Sequence, residues 1–117
     1  MQQLIQLTVD GIAVIRLQGD LDHHAANRIR EDISQAIYQG SVHAIVWNLG
    51  DLQFMDSAGI GLILGRMRDL APINGQTVIL NPSATMQKIF QFSGLSKYIW
   101  QGTEDEVIRT LGGILNG

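Results

Sequence analysis

Phe54-Met55-Asp56-Ser57-Ala58-Gly59-Ile60-Gly61, running on into Leu62-Ile63-Leu64-Gly65-Arg66, brings an acid and a hydroxyl to the start of a glycine-rich helical pattern. Ile60, Ile63, Leu64, Met67 and Leu70 recur at helical spacing and predict one apolar stripe from the serine to about Ala71. Each glycine inside that helix costs about 1 kcal/mol against alanine, so a bare backbone implies close packing or an approaching partner. Asp56 or Ser57 supplies the N-cap oxygen for an otherwise unpaired amide. One reading is a capped helix packed on a sheet. The other makes Ser57 a modification site, because a phosphate there would meet the amides and positive dipole of a helix start. Asp56 beside it would crowd the modified surface with negative charge.

The elements on either side follow from local signals. Leu4 to Val9 alternates, with Ile5, Leu7 and Val9 on one side, and Ile12 to Leu17 follows Asp10-Gly11. Two such runs joined by Asp-Gly predict a hairpin whose two central residues both take positive φ. Gly19-Asp20-Leu21-Asp22 breaks the pattern, and Ala26, Ile29, Ile33 and Ile37 predict a helix capped by Asp22 and ended by Gly40. Val42 to Leu49 reads as a central buried strand, and Gly50 to Gln53 as a loop leading to Asp56. Thr77 to Leu80 is a further buried strand, and Ser83 to Phe92 a helix stopped by Gly94. Tyr98 to Trp100 is a short edge strand. Thr103-Glu104-Asp105-Glu106 is a capping box for a last helix to about Leu111, which Gly112-Gly113 should fray. Strands that alternate with helices after a hairpin predict parallel right-handed crossovers, hence one α/β domain over residues 1–117.

Composition narrows the function. At 117 residues, with 45% hydrophobic and only 16% charged residues, the chain can bury a generous core and is not disordered. It has no cysteine, which excludes disulfides and thiolate metal sites. A net charge of -3 without a Lys/Arg cluster gives no footprint for nucleic acid. No stretch is long enough to span a membrane, and no signal-peptide pattern opens the chain, so a cytoplasmic protein is expected.

The chemical motifs mostly fail. Gly59-x-Gly61-x-x-x-Gly65 resembles a dinucleotide fingerprint, but the third glycine comes one residue late and the set lies inside a helix. No Gly-Lys-Ser/Thr occurs. Asp22-His23-His24 has metal-ligand residue types, yet adjacent helical residues diverge too far to share one ion, so a surface cap is expected. Ser57 sits in no nucleophile elbow. Phe54, Met55, Phe90 and Phe92 read as core. No catalytic residue, metal or cofactor is expected, and an enzyme is the weaker hypothesis. A phospho-aspartate receiver on Asp56 remains an alternative, although Lys97 precedes its strand instead of ending one. A small nucleotide-binding enzyme is a third.

Taken together, Phe54 to Gly61, Gly19-Asp20-Leu21-Asp22-His23-His24, Leu62 to Arg66 and Phe92-Ser93-Gly94-Leu95 resemble STAS domains of the anti-sigma factor antagonist type, over nearly the whole chain. The Asp-His-His segment and Gly65-Arg66 resemble the sporulation branch of that family. Its commonest motif has a second serine at position 58 and leucine at position 60, where this chain has Ala58 and Ile60. The resemblance implies a STAS-like mixed sheet of about four to five strands with about four helices.

It also implies a binding switch. The unphosphorylated form would dock on an anti-sigma factor that is also a serine kinase and release the sigma factor. Phosphorylation of Ser57 would end the contact, and a serine phosphatase would restore it. Asp56, Ser57, Gly59, Ile60, Gly61 and Leu62 are the expected partner-binding residues, with Asp22, His23 and His24 as their rim. An antagonist in a general stress-response pathway is the related alternative.

Overall fold

The computed structural model describes residues 2–8 and 10–116. Five strands form its sheet: β1 (Gln2–Leu7), β2 (Ile12–Leu21), β3 (Ala44–Met55), β4 (Gln76–Leu80) and β5 (Ile99–Trp100). Four α-helices accompany them: α1 (His23–Tyr38), α2 (Ser57–Leu70), α3 (Ala84–Ser93) and α4 (Glu104–Asn116). The strands lie side by side in chain order, with β1 antiparallel to β2 and every later neighbour parallel. Right-handed crossovers between successive neighbours put α1, α2 and α3 on one face. There Ala13, Ile15, Leu17, Ile45, Trp47 and Ile79 meet Ile29, Ile33, Ile63 and Phe90. The alternate residues Ile12, Val14, Val46 and Val78 face the other way and pack on Val107 and Leu111 of α4. The result is one α/β domain with a mixed sheet, as expected.

The β1–β2 turn differs from the expected Asp-Gly hairpin. Among the described residues of the turn, Gly11 takes positive φ, at 78°. Thr8 closes the turn instead: its carbonyl accepts from the Gly11 N–H at 3.2 Å and its hydroxyl from the Ile12 N–H at 3.2 Å. Ile5 packs inward as expected, while Val9 lies outside the described residues. Gly112-Gly113 does not end the last helix, which continues to Asn116. Gly112 is buried where a Cβ would stand 3.1 Å from the Asp10 carboxylate, so a bare helix turn lets the hairpin loop approach.

The larger difference builds the end of the molecule that carries Ser57. Gly19 to Leu21, expected as a break, and Gly50 to Gln53, expected as a loop, extend β2 and β3, the latter on to Met55. Register shifts between Arg16 and Gln18 and between Gly19 and Asp20 carry the pairing through to Leu21 opposite Met55. β4 stops pairing with β3 at Asn48, so the two extensions rise above the rest of the sheet as a ribbon. Because Leu21 and Met55 pair, Asp22 and Asp56 leave the ladder at the same level, each as the cap of the following helix.

Candidate functional site

Ser57 is the first residue of α2 and is exposed. Its neighbour Asp56 has extended backbone and occupies the cap position. The Asp56 carboxylate accepts from the Ala58 N–H at 2.9 Å. Its carbonyl accepts from the Gly59 N–H at 3.1 Å and the Ile60 N–H at 3.3 Å. Asp56 therefore already engages the Ala58, Gly59 and Ile60 amides of this turn, which a phosphate on Ser57 would have to share. The Ser57 hydroxyl itself makes no hydrogen bond among the described residues. What remains at this position is an exposed hydroxyl beside a fixed negative charge.

Two grooves flank it. On the α1 side, a groove of about 250 Å³ runs between His23, Asn27 and Arg30 of α1 and Ala58 and Gly61 of α2. Asp22 caps α1 by accepting from the Ala25 N–H at 2.9 Å. That hydrogen bond, helped by the nearby His24 and Arg28 charges, holds its carboxyl below the ordinary aspartate value. Asp22, His23 and His24 are all exposed, as a rim requires. On the α3 side, an apolar groove of about 340 Å³ is bounded by Met55, Ser57 and Ile60 and by Ile89 and Phe92 of α3.

Of the residues expected to meet a partner, Asp22, His23, His24, Asp56, Ser57, Ile60 and Gly61 gather at this end of the molecule. Gly59 does not reach its surface, and Leu62 reaches it only as lining of the α1-side groove. Both are buried, Leu62 at 3% exposure, on the inward face that also carries Ile63, Arg66 and Leu70. A Cβ on Gly59 would stand 2.3 Å from Met55 Cγ and 2.9 Å from Leu21 Cδ2. The helix is thus turned relative to the Ile60-Ile63-Leu64-Met67-Leu70 stripe, whose Ile60, Leu64 and Met67 are only half-buried. Met55 and Phe90 are core, but Phe92 is 93% and Phe54 56% exposed. An aromatic in a short apolar run reads as core, which hid these two; of them, Phe92 lines the groove beside Ser57. Among the described residues, no group of three or more His, Asp or Glu side chains could hold a metal ion. Nor is any described helix long and apolar enough to cross a membrane.

The profile of the STAS domain matches residues 5–112. The chain belongs to the STAS domain family. An anti-sigma F factor antagonist of Lysinibacillus sphaericus is 52% identical to this STAS domain over 113 residues, 97% of each chain. An anti-sigma-B factor antagonist of Staphylococcus epidermidis is 28% identical, over 86% of this chain and 94% of its own. The anti-sigma factor antagonist SpoIIAA in its unphosphorylated form superposes with a TM-score of 0.91 at 49% identity, over 96% of this chain and 97% of that one. The Bacillus cell fate determinant SpoIIAA in the phosphorylated form gives a TM-score of 0.85 at 50% identity, over 93% and 98%. The STAS domain thus stands nearer the sigma F antagonists than the sigma B one, and the receiver alternative gives way to this family.

Proposed function

We propose that this protein is an anti-anti-sigma factor of the sporulation type, working in the cytoplasm as a binding switch controlled by Ser57. The unphosphorylated form docks on an anti-sigma factor that is also a serine kinase, and the sigma factor held there is released. The kinase moves the γ-phosphoryl group of ATP to Ser57 Oγ; the hydroxyl proton is lost and ADP leaves. A serine phosphatase hydrolyses the ester and resets the switch. The protein contributes a surface and an acceptor hydroxyl, not turnover of its own.

The observation that carries this reading is Ser57, exposed at the helix start with the Ala58, Gly59 and Ile60 amides already taken by Asp56. A phosphate arriving there finds no vacant cradle among those amides. It adds about two negative charges beside an existing carboxylate and stays accessible to a phosphatase. The switch is then electrostatic: like charge is driven into an interface that docking would otherwise desolvate, at a cost of a few kcal/mol. The partner face includes Asp22, His23 and His24 on one side and Ile60, Ile89 and Phe92 on the other. Gly61, exposed between them, lets the partner's backbone or nucleotide come close.

The test is to incubate the protein with the host's anti-sigma kinase and Mg-ATP, then measure intact mass and map the phosphopeptide. One phosphate on Ser57, absent from Ser57→Ala, is expected. The Ser57→Ala variant should stay bound to the kinase in ATP, while Ser57→Asp binds poorly. Release of Ser57→Ala on ATP addition, or tight binding by Ser57→Asp, would refute the charge mechanism.

A further inference from the structure

The buried face of α2 is apolar with one exception. Arg66 is 6% exposed in the same stripe as Leu62, Ile63 and Leu70. Its Nε donates to Asp69 Oδ2 at 2.9 Å, while its buried Nη1 has no partner among the described residues. Asp69 is also the acceptor for two hydroxyls from the C-terminal half of α1: Ser34 Oγ at 2.5 Å and Tyr38 Oη at 3.1 Å. One carboxylate thus ties the end of α1 to the end of α2. At their starts the same two helices are separated by the groove between His23, Asn27 and Arg30 and the small residues Ala58 and Gly61.

Such a cluster is a poor way to gain stability. Burying the pair costs desolvation, an unpartnered guanidinium nitrogen adds to it, and apolar residues of similar volume pack at least as well. What directional bonds supply is a single mutual setting of two helices that apolar contacts would let slide. These helices begin at Asp22 and Asp56, so their mutual setting fixes where the rim on α1 stands relative to Ser57. We infer that Asp69, held by Arg66, Ser34 and Tyr38, is a positioning residue for the partner face: it keeps the start of α1 in register with Ser57. The inference rests on the switch reading given under Proposed function.

The decisive variant is Arg66→Met/Asp69→Leu, in which apolar side chains replace the charged pair. It should melt at or above the parent's temperature. In the kinase assay its KM as substrate should rise at least about fivefold, with kcat changed less than about twofold. Ser34→Ala/Tyr38→Phe, which cuts the tie without touching α2, should raise KM in the same direction. It also carries the test if the first variant does not fold. An unchanged KM in a folded variant, or a fall in kcat alone, would overturn the inference. If the parent itself takes no phosphate on Ser57, the switch reading has failed. Amide exchange in the free protein then decides the inference by itself: the Ala25 and Ala26 amides at the start of α1 should exchange faster in both variants, and equal protection would refute the tie.

Discussion

Gly59 and Gly61 stand two residues apart in α2 and meet opposite surroundings. A Cβ on Gly59 would run into Met55 and Leu21, whereas on Gly61 it would meet nothing within 4 Å. Gly61→Ala should therefore stabilise the fold by up to about 1 kcal/mol through helix propensity. Gly59→Ala should destabilise it by about 1–2 kcal/mol, because the overpacking of a buried Met55 exceeds that gain. Urea midpoints at constant m-value check both. If the exposed position is bare so that a partner can approach, Gly61→Ala will also weaken kinase binding; a more stable variant that binds as well as the parent would remove Gly61 from the contact. The sequence made Ser57, its cap and the glycine-bared backbone legible, because capping and propensity are local. It hid the true inward face, since Gly59 and Arg66 lie on it and neither registers as apolar.

At the scale of elements, the tie between α4 and the sheet is the most exposed to pH. Glu104 at the start of α4 accepts from Arg16 Nε at 2.8 Å and from Asn48 Nδ2 at 2.6 Å. The Arg16 hydrogen bond, with help from Asn48 and against the cost of burial, holds the Glu104 carboxyl below its ordinary value. A depressed folded value means that the stabilisation is complete above the unfolded glutamate value, about 4.3, and is lost as pH falls through that value to the folded one. Asp69 moves in the same direction: burial opposes its charge, but Ser34, Tyr38 and Arg66 outweigh it. Unfolding midpoints should thus fall from pH 5 toward pH 3. Glu104→Gln should cost about 1 kcal/mol at pH 7, the partly exposed pair being screened by solvent, and should flatten that slope. An equally steep slope in the variant would place the acid sensitivity elsewhere. The elements themselves were largely readable. The α1 spacing, the Asp22 cap, the helix opening at Ser83, Gly94 at φ 78° and the Thr103–Glu106 capping box all form as read. The upper halves of β2 and β3 were not, because register shifts interrupt the period-2 pattern and only pairing across the chain makes Gly50 to Gln53 a strand.

At the scale of the molecule, the chain-order sheet sends β2 and β3 upward together and starts α1 and α2 side by side at their ends. That end is acidic, with Asp20, Asp22 and Asp56 at the strand ends, and it is also where Phe54 and Phe92 lie exposed. Arg28 and Arg30 of α1 stand nearby, but in a protein of net charge -3 the acidic strand ends should suit a partner that is basic around an apolar recess. Phe92 separates binding from folding cleanly. At 93% exposure it contributes almost nothing to the core, so Phe92→Ser should shift stability by less than about 0.5 kcal/mol. If its ring fills a recess in the anti-sigma factor, the same change should weaken binding of unphosphorylated protein about tenfold or more, mainly through faster dissociation. The acidic rim should act on the other rate: raising salt slows association, and Phe92→Ser leaves that salt dependence as it is. Surface plasmon resonance at several ionic strengths resolves the two rates. Unchanged dissociation in Phe92→Ser would move the apolar part of the contact off α3, to Ile60 and the α1 groove, while leaving the charge switch at Ser57 standing.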